Sequence, residues 1–161
     1  MPPSSTSSAL RRTWLTILVA LAFSALMYGL LAFFIENGKA PRVISSSLPT
    51  MRALMTLFAV AELGASVAWL QFATQGKMSD SGGPILTPAK FQEQSIVAMA
   101  LAEACSVSGL LLFFMGNTLR QFVPFIAGTL AVFFLFILPK GLRYFAAWDE
   151  AQKPKPPSPF G

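Results

Sequence analysis

The stretch TWLTILVALAFSALMYGLLAFF, residues 13–34, carries no charged side chain over 22 positions. At ~1.5 Å per residue a helix of that length crosses a hydrocarbon core of about 30 Å, and a helix that is apolar on every side needs lipid or protein around it. These residues therefore predict a spanning helix. Arg11 and Arg12 precede it as the basic region of a signal peptide would. The apolar run is longer than the roughly 7–15 residues of such a peptide's core and ends in no small-x-small cleavage site, so it reads as a retained span.

Three further runs repeat the pattern. Residues 48–72 hold only two charges, Arg52 near the start and Glu62 near the middle. Ser47 ahead of Pro49 suits a helix start with proline in the first turn. Thr87-Pro88 gives an N-cap and a first-turn proline for a helix whose apolar part is residues 95–115, with Glu103 inside it. Gly116-Asn117 then makes a short turn, and residues 122–138 (FVPFIAGTLAVFFLFIL) form a slightly short fourth span ending before Pro139. The predicted fold is all-α: a polytopic membrane protein, an up-down-up-down antiparallel bundle of four transmembrane helices over residues 11–148 with Glu62 and Glu103 turned inward. Residues 1–10, rich in Ser, Pro and Thr, and the proline-rich residues 149–161 are expected to be disordered tails. Residues 154–159 (PKPPSP) read as solvated chain.

Composition agrees with this reading and excludes several functions. Of the 161 residues 54% are hydrophobic and 12% charged, against about a quarter charged in an average soluble domain. Lipid must therefore cover most of the exterior. The net charge of +5 does not indicate nucleic-acid binding, because the basic residues flank the apolar runs. There is no histidine and only one cysteine, Cys105, which argues against imidazole-ligated haem or zinc and against an internal disulfide. No Gly-rich phosphate loop, HExxH or G-x-S-x-G occurs. Cys105 lies inside a span, where a thiol serves as a small packing group. No catalytic residue, cofactor or metal is expected, and the chain reads as a non-enzyme.

Lysine and arginine indicate orientation. Arg11, Arg12, Lys77, Lys90, Lys140, Arg143, Lys153 and Lys155 fall on one side of the four spans, and Lys39, Arg42, Arg52 and Arg120 on the other. The positive-inside rule then places both termini in the cytoplasm, and the expected location is the bacterial cytoplasmic membrane. Trp14, Trp69, Tyr144 and Trp148 fall near span ends, where amphipathic rings favour the interface.

Glu62 and Glu103 are the informative residues, because a charge at the bilayer centre costs at least ~2.5 kcal/mol. Glu62 is ten residues from Phe72 and Glu103 eight from Ser95, so both should lie roughly 12–15 Å from the cytoplasmic ends. An antiparallel hairpin of the second and third spans would bring them together. Arg52 is about 15 Å along the helix from Glu62 and too far to pair. The expected compensation is a protonated carboxyl, a bound cation, or a basic group from another chain. Ser66, four residues after Glu62, and Ser106, three after Glu103, are within hydrogen-bonding reach. Glu62, Glu103, Ser66 and Ser106 are thus the candidate ion-binding set. Ala61, Ala65 and Ala68, with Ala98, Ala102 and Ser106, form small-residue rows that allow close helix packing. Both glutamates close an Ala-x-Ala-Glu segment, residues 59–62 and 100–103, a four-residue internal repeat of the kind that inverted repeats produce.

The segment VAMALAEACSVSGLLLFF, residues 97–114, resembles the carboxylate-bearing second helix of the proteolipid c subunits of rotary ATP synthases, in which Leu-Ala-Glu-Ala is followed by Gly-Leu-Leu. That resemblance implies a proton- or sodium-binding role for Glu103. It covers one helix of four, and the family's glycine-repeat first helix has no counterpart here. Two expectations follow for function. One is a small integral membrane subunit or carrier whose carboxylates bind a proton or cation. The other is a non-catalytic structural or assembly subunit of a larger membrane complex. The expected partners are the bilayer and other membrane subunits or further copies of the chain.

Overall fold

The computed structural model describes residues 3–38, 48–74 and 86–153. They form α1 (Pro3–Asn37), α2 (Leu48–Thr74), α3 (Pro88–Phe114), α4 (Leu119–Ala131), a π-helical segment (Val132–Ile137) and α5 (Leu138–Ala151). The last three are one continuous rod, so four helices are long and apolar enough to cross a membrane. No strand occurs among the described residues. Lys39, Arg42, Ser47, Lys77 and residues 154–161 lie outside them.

Helix ends follow local chemistry. Thr87 caps α3 by accepting the Lys90 N–H, with Pro88 in the first turn. At the other end Gly116 has φ 112°, the left-handed conformation that glycine adopts without a Cβ penalty. The Gly116 N–H meets the Phe113 carbonyl and the Asn117 N–H the Leu112 carbonyl, a Schellman closure that reverses the chain in four residues. α4 starts under a double cap. The Gln121 side chain accepts the Thr118 N–H and the Glu36 carboxylate accepts the Leu119 N–H at 2.8 Å.

α3 is the central helix. Trp14 bonds Ser95 and Tyr28 bonds Glu103, so α1 runs parallel to it. Ser66 bonds Ala98 and Ser108 bonds Glu62, so α2 runs antiparallel. Thr129 bonds the Ala102 carbonyl, Cys105 bonds the Phe125 carbonyl, and α4 is likewise antiparallel. Small residues make this possible. Ala98, Ala102, Cys105 and Ser106 are buried, and a Cβ on Gly109 would stand 2.6 Å from the Phe125 ring. Two core clusters result, one around Trp14, Phe91, Met99, Phe133 and Phe145, the other around Leu112, Phe113, Phe122 and Phe125. The outer surface is apolar: Leu135 is 79% exposed, Phe72 75% and Leu57 68%. Large apolar side chains exposed along four membrane-length helices fit lipid as the surrounding solvent.

Three sequence expectations are revised. α1 begins at Pro3, inside the stretch expected to be a tail, and the buried Ser7 hydroxyl donates to Asp149 at 2.9 Å, tying the two ends of the chain together. The fourth span does not stop at Pro139. A π turn just before the proline, with the Leu138 N–H reaching the Phe133 carbonyl, widens the helix where the proline ring would otherwise crowd the preceding turn. Trp14, expected at the interface, is wholly buried between Phe91, Phe145 and Gly141.

Candidate functional site

Glu62 leaves α2 and Glu103 leaves α3 on faces that meet. Because Ser66 pairs with Ala98 and Glu62 with Ser108, the antiparallel register of α2 and α3 sets the two glutamates at matching depth. Both line one cleft of about 390 Å³, with Tyr28 from α1 and Ala100, Ala104, Val107 and Ser108 from α3. Each carboxylate accepts one hydroxyl. Tyr28 donates to Glu103 Oε1 at 3.3 Å and Ser108 to Glu62 Oε2 at 3.4 Å. Both glutamates are half-buried.

The cleft exists because of a gap. α1 packs on α3 and α4, α2 packs on α3, and α1 and α2 make no extended contact with each other. Between them α3 shows a floor of Ala100 and Ala104, too small to close the space. The carboxylates therefore face a lateral opening at membrane depth, where a closed bundle would have turned them into its interior. Charge there requires an internal partner. Arg52 is not that partner, since its guanidinium donates Nε–H to Asn117 Oδ1 at 3.0 Å and Nη2–H to Gln121 Oε1 at 3.4 Å.

Ser66 and Ser106 do not join the glutamates. The Ser66 hydroxyl donates across the helix interface to the Ala98 carbonyl at 2.6 Å. Ser106 donates to Thr129 Oγ1 at 2.8 Å, and Thr129 in turn donates to the Ala102 carbonyl at 2.8 Å. Both serines are fully buried in helix contacts, where an unpaired hydroxyl would be costly. Tyr28 and Ser108 take the position expected for them. Sequence spacing hides Tyr28, because it arrives from another helix; Ser108, five residues past Glu103, serves the glutamate of the neighbouring helix.

The cleft lining offers two carboxylates and two hydroxyls and no side-chain nitrogen or sulfur. Hard oxygen donors of this kind suit a proton or a hard cation better than a soft transition metal. No group of three or more Asp, Glu, Cys or His side chains able to hold a metal ion occurs among the described residues.

Fold and surface together define a small multi-pass integral membrane protein. Compared with protein-family models, curated proteins and solved structures, the chain matches none.

Proposed function

We propose that the protein is a non-enzymatic membrane subunit or carrier in which Glu62 and Glu103 bind a proton or a cation at mid-depth. The supporting observation is that two carboxylates from different helices, at matching register, line one cleft and each accepts a hydroxyl. Two like charges in a low-dielectric site cannot both stand uncompensated. A proton on one carboxyl or a bound cation removes the conflict, and the Tyr28 and Ser108 hydroxyls orient the carboxylate oxygens.

A membrane-permeant carbodiimide should label Glu103 in the purified protein, since its carboxylate lines the open cleft. Sodium should slow that labelling competitively if a cation occupies the site. Glu103→Gln should abolish any ion flux that the parent protein supports in liposomes. A Glu103 that stays unlabelled at every pH, with flux unchanged by the substitution, would remove the ion-binding reading.

A second reading has its own support in the gap between α1 and α2. A helix of another membrane subunit, bringing a basic side chain to the carboxylates, would fill the opening and make this chain an assembly subunit. Labelling would then be weak in the intact complex and strong once the partner is stripped away.

For orientation we propose a bacterial cytoplasmic membrane with both termini inside, on the eight-to-four lysine and arginine bias. In a Cys105→Ser background, cysteines placed after Asp149 and near Ser79 should react only with permeant reagents, and one near Lys39 with impermeant reagents. An externally reactive tail would invert the topology.

A further inference from the structure

At the end of the bundle opposite the termini, a cleft of about 530 Å³ opens between the start of α2 and the start of α4. Arg52 and Arg120 stand in its wall with Asn117, Thr118 and Gln121. Arg52 is oriented by two neutral oxygens, Asn117 Oδ1 and Gln121 Oε1, and Asn117 is 1% exposed. Among the described residues no carboxylate pairs with either guanidinium. Glu36 caps α4 from the α1 side and forms no part of the cleft wall. Two unneutralised guanidiniums beside a rigid amide pair make a site for a phosphate-like anion.

The floor of the cleft is apolar and continues downward. Thr56, Pro124 and Phe125 also line a second cavity of about 130 Å³, walled by Ala59, Val60 and Leu63 of α2 and reaching Cys105 on α3. This furrow separates α2 from α4 until Leu63 packs on Gly128, where a Cβ would stand 2.8 Å from Leu63 Cδ1. A cationic mouth above an apolar furrow in a membrane-spanning bundle has the polarity profile of a phospholipid.

We infer that the Arg52–Arg120 cleft and the α2/α4 furrow below it bind an anionic phospholipid, with its phosphate between the guanidiniums and an acyl chain along the furrow toward Leu63. A soluble phosphate would use the mouth alone. A zwitterionic lipid would present a choline or amine to the arginines and gain less from them.

The test uses the full chain in a neutral detergent, with lipid retention read by native mass spectrometry. Dioleoylphosphatidylglycerol should be retained roughly tenfold or more over dioleoylphosphatidylcholine. Arg120→Gln, at an exposed position, should cut that preference several-fold, and Arg52→Gln with Arg120→Gln should abolish it. Should the double variant fail to fold, Arg120→Gln and Arg52→Lys still decide the matter, the lysine keeping charge but losing the fork geometry. Val60→Trp, which fills the furrow from an exposed position, should weaken phosphatidylglycerol while leaving the arginines intact. Equal retention of the two lipids would overturn the inference. So would inorganic phosphate displacing phosphatidylglycerol with Val60→Trp having no effect, because the site would then belong to free phosphate.

Discussion

Trp14→Ala is expected to lower the unfolding free energy by about 3–5 kcal/mol, the range for removing a fully buried tryptophan. The indole joins its own helix to two others at once. Its ring lies 6.4 Å from the Phe91 centroid on α3 and 5.8 Å from Phe145 on α5, its Nε1–H donates to Ser95 at 2.8 Å, and its far edge fills the space that Gly141 leaves by lacking a Cβ. In lipid the apolar driving force between helices is absent, so packing and hydrogen bonds hold such a junction. Trp14→Phe should lose less than alanine, keeping most of the ring contact but not the Ser95 bond. Gly141→Ala should destabilise from the opposite side, by overfilling. Reversible unfolding in mixed micelles would measure all three. A loss below about 1 kcal/mol for the alanine variant would mean that lipid or neighbouring rings replace the indole, and that the α1–α3–α5 junction is looser than its geometry indicates.

Replacing Glu62 and Glu103 together by lysine should be far more damaging than replacing either by glutamine. Glutamine keeps a carbonyl oxygen to accept from Ser108 or Tyr28 and brings no charge to mid-depth. Two lysines bring two like charges into one cleft, at roughly 2.5–3.5 kcal/mol per site on insertion scales, and destroy both hydroxyl contacts. A single lysine has an escape, because the remaining carboxylate lines the same cleft and can pair with it. The expected order of inserted, folded yield is therefore parent and glutamine variants together, then single lysine, then double lysine. Glutamine variants that express but fail to assemble would show that an ionised carboxylate is structurally required. A double lysine as stable as the parent would mean that water fills the cleft.

The spans were legible because an unbroken apolar run of membrane length has few other meanings, and Thr87-Pro88 and Gly116-Asn117 marked boundaries through local chemistry that needs no tertiary context. The matching depth of Glu62 and Glu103 could be counted from the helix ends. What covers them could not. Tyr28 lies 75 residues from Glu103 in sequence, and its approach depends on α1 lying along α3 with no extended contact to α2, a choice that no local pattern encodes. The serine assignment failed for a related reason. Spacing of three or four residues places Ser66 and Ser106 near their glutamates on the helix surface, but neighbouring helices arrived on the serine faces and took the hydroxyls. The start of α1 was obscured by composition, since Ser7 is fixed by Asp149, 142 residues away.

The π turn before Pro139 governs more than the passage of a proline. Inward-facing positions on the fourth rod recur every fourth residue, at Phe125, Thr129, Phe133, Ile137, Gly141 and Phe145. In an unbroken α-helix such a row drifts by about 40° at each step, so over that length Phe145 would point nearly opposite to Phe125. A wider turn rotates less per residue and takes back part of the drift. One rod can thereby meet both aromatic clusters, the one near Phe122 and the one near Trp14, without bending around the bundle. The number of residues between Thr129 and Gly141 is thus fixed by angular phase more than by reach. Straightening the segment into a regular α-helix with every residue kept would turn Gly141 by up to about 100°, out from under the indole, whereas excising one residue at the same time would restore the phase to within about 20°.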